Sequence, residues 1–453
     1  MAYWRLTAEG FGKIKHAEIE LAPMTLFVGD NNSGKSYLLS LAWAIHALSK
    51  ELLFSIPQIR KLKSDAYWEI EQFFVEMLDQ VEKNESASGQ IEEISEQIQT
   101  VVNQLLDKRK GDLIKNLFNS DCVGITRLTL TMPSGLQGEI VFKKEQEKLI
   151  VKYQGNEMSF INLWVDDGGN GSQRRDGAFA WAYLSMLILQ LLDLDGDDVE
   201  AGSMVYLPAA RTGFMLTKDI INKFARRSTY DIEFITDEKE KAQPFSRPII
   251  EFLDVINELS EEQDGNKQNQ EVVSFIQNDM IQGNVEIGAL AGKELTYLPS
   301  GQNARYPFRA TSAVVTELAP LLLLLEHRAK LDGLFYEEPE MCLHPALQKR
   351  MGQVLIKMVN AGMRVTATTH SDIILQHINN MVQLKHAGKR PKDFGYHDTD
   401  IIAGNKIRVY QFLNCADGTT EVKQLPCGEN GFAIPTFNHA LDDLMNEVIR
   451  IQE

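Results

Sequence analysis

Near the start of the chain an apolar strand, a glycine-rich turn and a helix-forming segment follow one another directly. Met24–Val28 leads into Gly29-Asp30-Asn31-Asn32-Ser33-Gly34-Lys35-Ser36, and a helical stretch then runs to Leu48. No other feature restricts the fold so tightly. The spacing fits G-x-x-x-x-G-K-[ST], in which the glycines let successive backbone N–H groups turn inward onto phosphates. The helix N-terminus adds partial positive charge at the same place. Gly29, Asn31, Asn32, Ser33, Gly34, Lys35 and Ser36 are therefore expected to bind a nucleotide. Lys35 is expected to reach the β- and γ-phosphates, and the Ser36 hydroxyl to hold Mg2+.

Two later stretches extend the pattern. Leu334-Phe335-Tyr336 is an apolar strand that ends in the adjacent carboxylates Glu337 and Glu338. Successive strand residues point to opposite sides, so the two acids can take different tasks. Glu337 is expected beside the magnesium ion. Glu338 is expected to face the γ-phosphate and to orient or deprotonate the attacking water, because phosphoryl transfer depends mainly on positioning and charge stabilisation. Val365–Thr369 is a further strand, ending at His370. From there His370 is expected to donate a hydrogen bond to the γ-phosphate.

Strands alternating with helices imply a parallel sheet covered on both faces. Around that core the chain reads as five segments. These are 1–50 with the glycine loop, a helical insertion over 51–122, a β lobe and core strand over 123–213, a second helical insertion over 214–290, and 291–453. Glu82–Gly89 reads as a bend between two helices. Each arm is at most about 35 residues, or about 50 Å at 1.5 Å per residue, which excludes a long rod. Pro133-Ser134-Gly135 and Lys143–Lys148 punctuate a set of antiparallel strands. A closing hairpin and a helix over Pro435–Ile451 end the chain.

Composition narrows the setting. Of 453 residues 44% are apolar, and the formal net charge is −17. So acidic a chain is not a broad electrostatic partner for DNA, although Lys108–Lys110 or Lys223–Arg227 could line a local groove. The longest apolar runs fall short of the roughly 20 residues that span a bilayer, so no membrane contact is expected. The cysteines Cys122, Cys342, Cys415 and Cys427 form no C-x-x-C pair. Their spacing suits a reducing cytoplasm rather than zinc or a disulfide framework.

The set Gly29–Ser36, Glu337-Glu338-Pro339-Glu340 with Leu343-His344-Pro345, Thr369-His370-Ser371 and Leu207-Pro208-Ala209-Ala210-Arg211 resembles a known family. It is similar to the ABC-type ATPase heads of the SMC-like class, in particular the stand-alone prokaryotic and OLD-type ATPases. The likeness covers about 1–50 and 290–453. It implies an α/β P-loop head with a mixed sheet core, an antiparallel β lobe and helical insertions. It also implies ATP and Mg2+ as cofactors, and two heads that sandwich two ATP molecules as a homodimer or higher oligomer. In such heads a signature serine on a helix N-terminus closes on the partner's phosphates. Leu298–Gln302 looks like the transporter signature, but Ser312 opens the long helix before the acidic strand and is the better placed. Ala313 stands where the family usually has glycine, so hydrolysis is expected to be slow. Arg211 and Lys13 follow strands in places where related heads set a basic residue near the nucleotide.

No nuclease constellation follows His370. A Toprim module needs a Glu and an Asp-x-Asp pair on separate strands; His397-Asp398-Thr399-Asp400 is the nearest candidate, but the roughly 50 residues after it read as the closing hairpin and helix. The chain thus resembles the ATPase subunit of Septu- or PARIS-type anti-phage systems, whose effector, a nuclease, is a separate polypeptide. An SMC-like DNA-repair or DNA-tethering ATPase is the alternative.

Overall fold

The computed structural model describes residues 4–121, 123–132, 137–146, 148–161, 171–191, 204–230, 245–259, 265, 267–288, 294–433 and 445–451. The Pro133–Gly135 turn lies outside them, as does part of the expected terminal helix, of which 445–451 are helical. The chain divides into two compact units. One comprises Met1–Phe11, Ala44–Ile114 and Gly124–Glu200, and the other Gly12–Trp43, Lys115–Val123 and Ala201–Glu453.

Seven strands of the second unit lie side by side in the order Ile14–Glu20, Thr420–Leu425, Ile407–Asn414, Met24–Gly29, Arg364–Thr369, Gly333–Glu337 and Met204–Leu207. Only Ile407–Asn414 and Thr420–Leu425 pair antiparallel, and the other neighbours run parallel. The central strands Met24–Gly29 and Arg364–Thr369 are buried almost throughout, as strands covered on both faces must be. The Ala313–His327 helix, with its Leu321–Leu325 run, and the Pro345–Asn360 helix supply much of the surrounding core. This is the expected α/β class with a mixed sheet. The parallel register sets Thr369 beside Val28 and Glu337 beside Thr368. Three strands therefore end at one edge, the crevice where open α/β sheets bind ligands.

The first unit holds the antiparallel lobe. Its strands run in the order Ser86–Gln90, Glu139–Glu145, Lys148–Tyr153 and Asn156–Ile161. Arg5–Phe11 pairs antiparallel with Arg127–Thr131. Phe74, Phe142, Phe160, Phe179 and Tyr183 pack edge-to-face, except that Phe179 and Tyr183 stack with an interplanar angle of 6°. The segment expected as a bend between helices differs. The Asp65–Asn84 helix ends at Glu85 in a left-handed conformation, and Ser86–Gln90 then pairs with Glu139–Glu145 as an edge strand. The flanking helices are 20 and 24 residues long.

The basic stretch at Lys108–Lys110 is no open groove. Lys110 pairs with Asp107, and Arg109 with Asp112 at 2.7 Å, within one helix. The side chains of Lys223–Arg227 lie outside the described residues. Asp400 is buried and pairs with Lys357 at 3.0 Å, so it is not presented as a nuclease ligand. Among the described residues no helix is long and apolar enough to cross a membrane.

Candidate functional site

The glycine loop leaves the Met24–Gly29 strand and enters the Lys35–Leu48 helix. Gly29 has φ +125°, and a Cβ there would lie 2.2 Å from the Phe412 carbonyl oxygen, so only glycine fits. Gly34 has φ +91°, and Asn32 takes the left-handed region that asparagine tolerates. The Asn414 backbone N–H donates to Asp30 Oδ2 and its side-chain amide to the Asn31 carbonyl, both at 3.3 Å. The neighbouring strand end thus braces the loop.

Lys35 is 5% exposed. Its ammonium donates to the Gly29 carbonyl at 3.1 Å, to the Asp30 carbonyl and to Ser33 Oγ at 3.3 Å. Burial pushes its pKa down to about 8, against the pull of Glu338, Asp30 and Glu340. A buried ammonium hydrogen-bonded to neutral loop oxygens is poised for a polyanion. Lys13 Nζ donates to the Asn32 carbonyl at 3.4 Å, so it does stand at the loop. Ser36, half-buried, sits in the helix's first turn.

The acidic strand lies one strand removed from the loop's own strand, with Arg364–Thr369 between them. Glu337 Oε1 accepts from the Tyr206 hydroxyl, and Oε2 from the Ala209 N–H at 3.1 Å. Burial raises the Glu337 pKa, and these hydrogen bonds work the other way. Burial first, then Glu337, holds the Tyr206 phenol well above its usual range, so it remains a donor.

Glu338 has φ +41°, an uncommon conformation for a residue with a side chain. Its N–H donates to the Thr368 carbonyl at 3.0 Å and to Thr368 Oγ1 at 3.2 Å, and its carbonyl accepts from Arg211 at 3.0 Å. Glu338 Oε1 stands 4.0 Å from His370 Nε2, with both side chains about one-third exposed. Burial, followed by the Lys35 charge, lowers the His370 pKa and favours the neutral imidazole. Lys35, Glu338 and His370 thus converge.

Three placements differ from the sequence reading or add to it. Arg211, expected near the nucleotide, has its described hydrogen bonds and its charge partner at the acidic strand and the helix that Ser312 caps. It opens the Arg211–Tyr230 helix, is wholly buried, and donates to the carbonyls of Pro208 at 2.8 Å, Glu337 and Glu338. Its charge is paired with Glu317 at 2.6 Å, and its guanidinium lies over the Tyr336 ring at 4.7 Å. Through Nη1 and Nη2 it thus ties the acidic strand end to Pro208 and Glu317, while its Nε has no hydrogen-bond partner among the described residues.

Glu340 carried no role in the sequence reading. It accepts from the His370 N–H at 2.6 Å and from Thr369 Oγ1 at 2.9 Å, fixing the histidine turn.

Ser312 caps the Ala313–His327 helix, its Oγ accepting from the Val315 N–H at 3.5 Å. It makes no hydrogen bond to the Lys35–Glu338–His370 group. It lines a cavity of about 490 Å³ with Tyr297, Gln302, Thr311 and Leu347. The transporter-like Leu298–Gln302 string is a strand end and a turn, with no helix to present N–H groups.

Among the described residues no group of three or more His, Cys, Asp or Glu could hold a metal by itself. The two expected donors, Ser36 and Glu337, offer one hydroxyl and one carboxylate. That set suits Mg2+, which usually takes one or two protein ligands and completes its shell with water and substrate phosphates.

Residues 206–375 match the family model described as AAA ATPase domain. The match takes in Arg211, Ser312, Glu337, Glu338 and His370 and leaves the glycine loop outside. No curated protein matches the chain. The SMC head domain from Thermotoga maritima is 11% identical, with 94% of this chain and 100% of that chain covered and a TM-score of 0.35. The Smc head domain with an extended coiled coil, bound to the C-terminal domain of ScpA and derived from Pyrococcus furiosus, is 13% identical, with all of both chains covered and a TM-score of 0.37. The SmcHead bound to the C-winged helix domain of ScpA is 13% identical, with 93% and 97% covered and a TM-score of 0.37.

Proposed function

We propose that the chain binds Mg2+-ATP and hydrolyses it to ADP and phosphate. The observation that carries this reading is the convergence of Lys35, Glu338 and His370 at the ends of three adjacent elements. Lys35 exchanges its loop carbonyls for β- and γ-phosphate oxygens. The backbone N–H groups of Asn31–Ser36 hold the phosphates, and Ser36 and Glu337 would hold a magnesium ion, which would supply positive charge to the phosphates. Glu338 orients a water and takes its proton. The neutral His370 donates to the γ-phosphate, and Lys13 adds positive charge at the loop.

Two heads pair, and Ser312 of one closes on the nucleotide of the other. Ala313 keeps that approach long, and turnover is slow. The nucleotide-dependent pairing acts as a switch on a separate effector, a nuclease of an anti-phage system, in the cytoplasm. Such a switch requires ATP to bind the paired form more tightly than the open one. The Asp65–Asn84 and Ser95–Phe118 helices, at 20 and 24 residues, are about 30–36 Å long and suit a platform better than a DNA-spanning rod.

The test is Glu338→Gln. It keeps shape and hydrogen bonding but removes the base, so phosphate release should fall by about 10²–10⁴-fold while ATP binding persists. Light scattering should then show a dimer that accumulates with ATP. Unchanged phosphate release refutes the assignment. Co-purification from the native host, with mass spectrometry, tests the effector.

A further inference from the structure

The Glu337 carboxylate is restrained at both oxygens, by the Tyr206 hydroxyl and by the Ala209 N–H. The Tyr206 hydroxyl lies 2.9 Å from Ser40 Oγ. A phenol has one proton, and here it points at Glu337, so the Ser40 hydroxyl is the donor to Tyr206. Ser40 is one helical turn beyond Ser36, so the two hydroxyls share a face of the Lys35–Leu48 helix. Trp43 packs edge-on against the Tyr206 ring, centroids 5.8 Å apart, and the two are 2% and 3% exposed.

We infer that Tyr206, backed by Ser40, is a positioning residue that fixes the Glu337 carboxylate for the magnesium ion of the bound nucleotide. The inference rests on the Mg2+-nucleotide reading of the site. Glutamate has one more rotatable bond than aspartate, so an ion-facing glutamate at a strand tip needs such a restraint. Each oxygen accepts one hydrogen bond and keeps a lone pair for the ion or its waters. The relay also joins the two elements that carry the ion's protein donors. Ser36 and Ser40 lie on one helix, Glu337 on the acidic strand, and Tyr206 bridges them from the adjacent strand. Partners of this kind around a metal ligand are typically worth 10–100-fold in metal affinity.

The test uses full-length Tyr206→Phe, which keeps the ring and its contact with Trp43. Affinity for a fluorescent ATP analogue is titrated in EDTA and across a Mg2+ series. The Mg2+ concentration for half-maximal tightening should rise about tenfold, and the affinity in EDTA should stay within about twofold. Ser40→Ala should shift the midpoint the same way by about fivefold, the worth of one neutral hydrogen bond. It decides the matter if Tyr206→Phe does not fold. An unchanged Mg2+ midpoint, or an equal loss with and without Mg2+, overturns the inference. Wild type that binds no nucleotide in either condition overturns the underlying reading instead, and this one with it.

Discussion

Arg211 Nη2 lies 2.6 Å from Glu317 Oε1, and neither side chain has any solvent exposure. Glu317 belongs to the helix that Ser312 caps, and Arg211 donates to the carbonyls of Glu337 and Glu338. Thr212 completes the joint, its N–H and hydroxyl donating to Glu317 Oε2 at 3.1 and 2.7 Å. The helix that Ser312 caps and the acidic strand tip are thus tied through one ion pair.

Removing one partner leaves a buried charge uncompensated. Arg211→Met or Glu317→Met should each cost about 3–5 kcal/mol in urea unfolding. The double variant Arg211→Met/Glu317→Met should recover much of that loss, because replacing a whole buried pair by apolar groups is often neutral. Losses that simply add show that the two do not act as a pair.

The Lys35 ammonium gives the site a pH signature. Its pKa is lowered to about 8, chiefly by burial. Only the charged form attracts phosphate, so affinity for ATP should be flat below about pH 7.5. Above pH 8 it should weaken, by up to about tenfold per pH unit. Lys35→Met should bind at least about tenfold more weakly at pH 7 and lose the alkaline limb. Isothermal titration across this range checks both, and an alkaline limb that survives in the variant assigns it to another group.

The glycine loop, the acidic pair and His370 were legible because each obeys a local rule of spacing or strand alternation. Glu317 was not. It sits inside an apolar run, and its partner Arg211 is brought to it only by the fold, although a lone carboxylate among leucines is itself a sign of a buried partner. The same distance in sequence hid the partners of Arg211. Its position after a strand was read correctly, but nothing local fixed the direction of its side chain. Ser86–Gln90 was missed for another reason. Ser-Ala-Ser-Gly-Gln has turn composition, yet pairing with Glu139–Glu145 overrides propensity. Gly89 also packs so closely on Phe73 that a Cβ would lie 2.5 Å from its ring. Glu340 was visible as a residue, but its task depends on a turn thirty residues away.

Glu326, near the end of the Ala313–His327 helix, supplies a prediction about stability. It is 9% exposed, and Gln277 Nε2 donates to its Oε1 at 2.7 Å, while Oε2 has no hydrogen-bond partner. Burial raises its pKa from 4.5 to about 7. The folded protein therefore keeps a proton that the unfolded chain gives up near pH 4.5. Between these values the folded state binds more protons, so stability falls as pH rises from about 4.5 to about 7 and is level above. Glu326→Gln carries no titrating group and keeps an acceptor for Gln277. Its stability should match wild type near pH 5 and exceed it at pH 8 by on the order of 3 kcal/mol. Urea unfolding midpoints at the two pH values measure the difference. A variant less stable than wild type at pH 8 shows that Glu326 is ionised and favourably held in the folded protein.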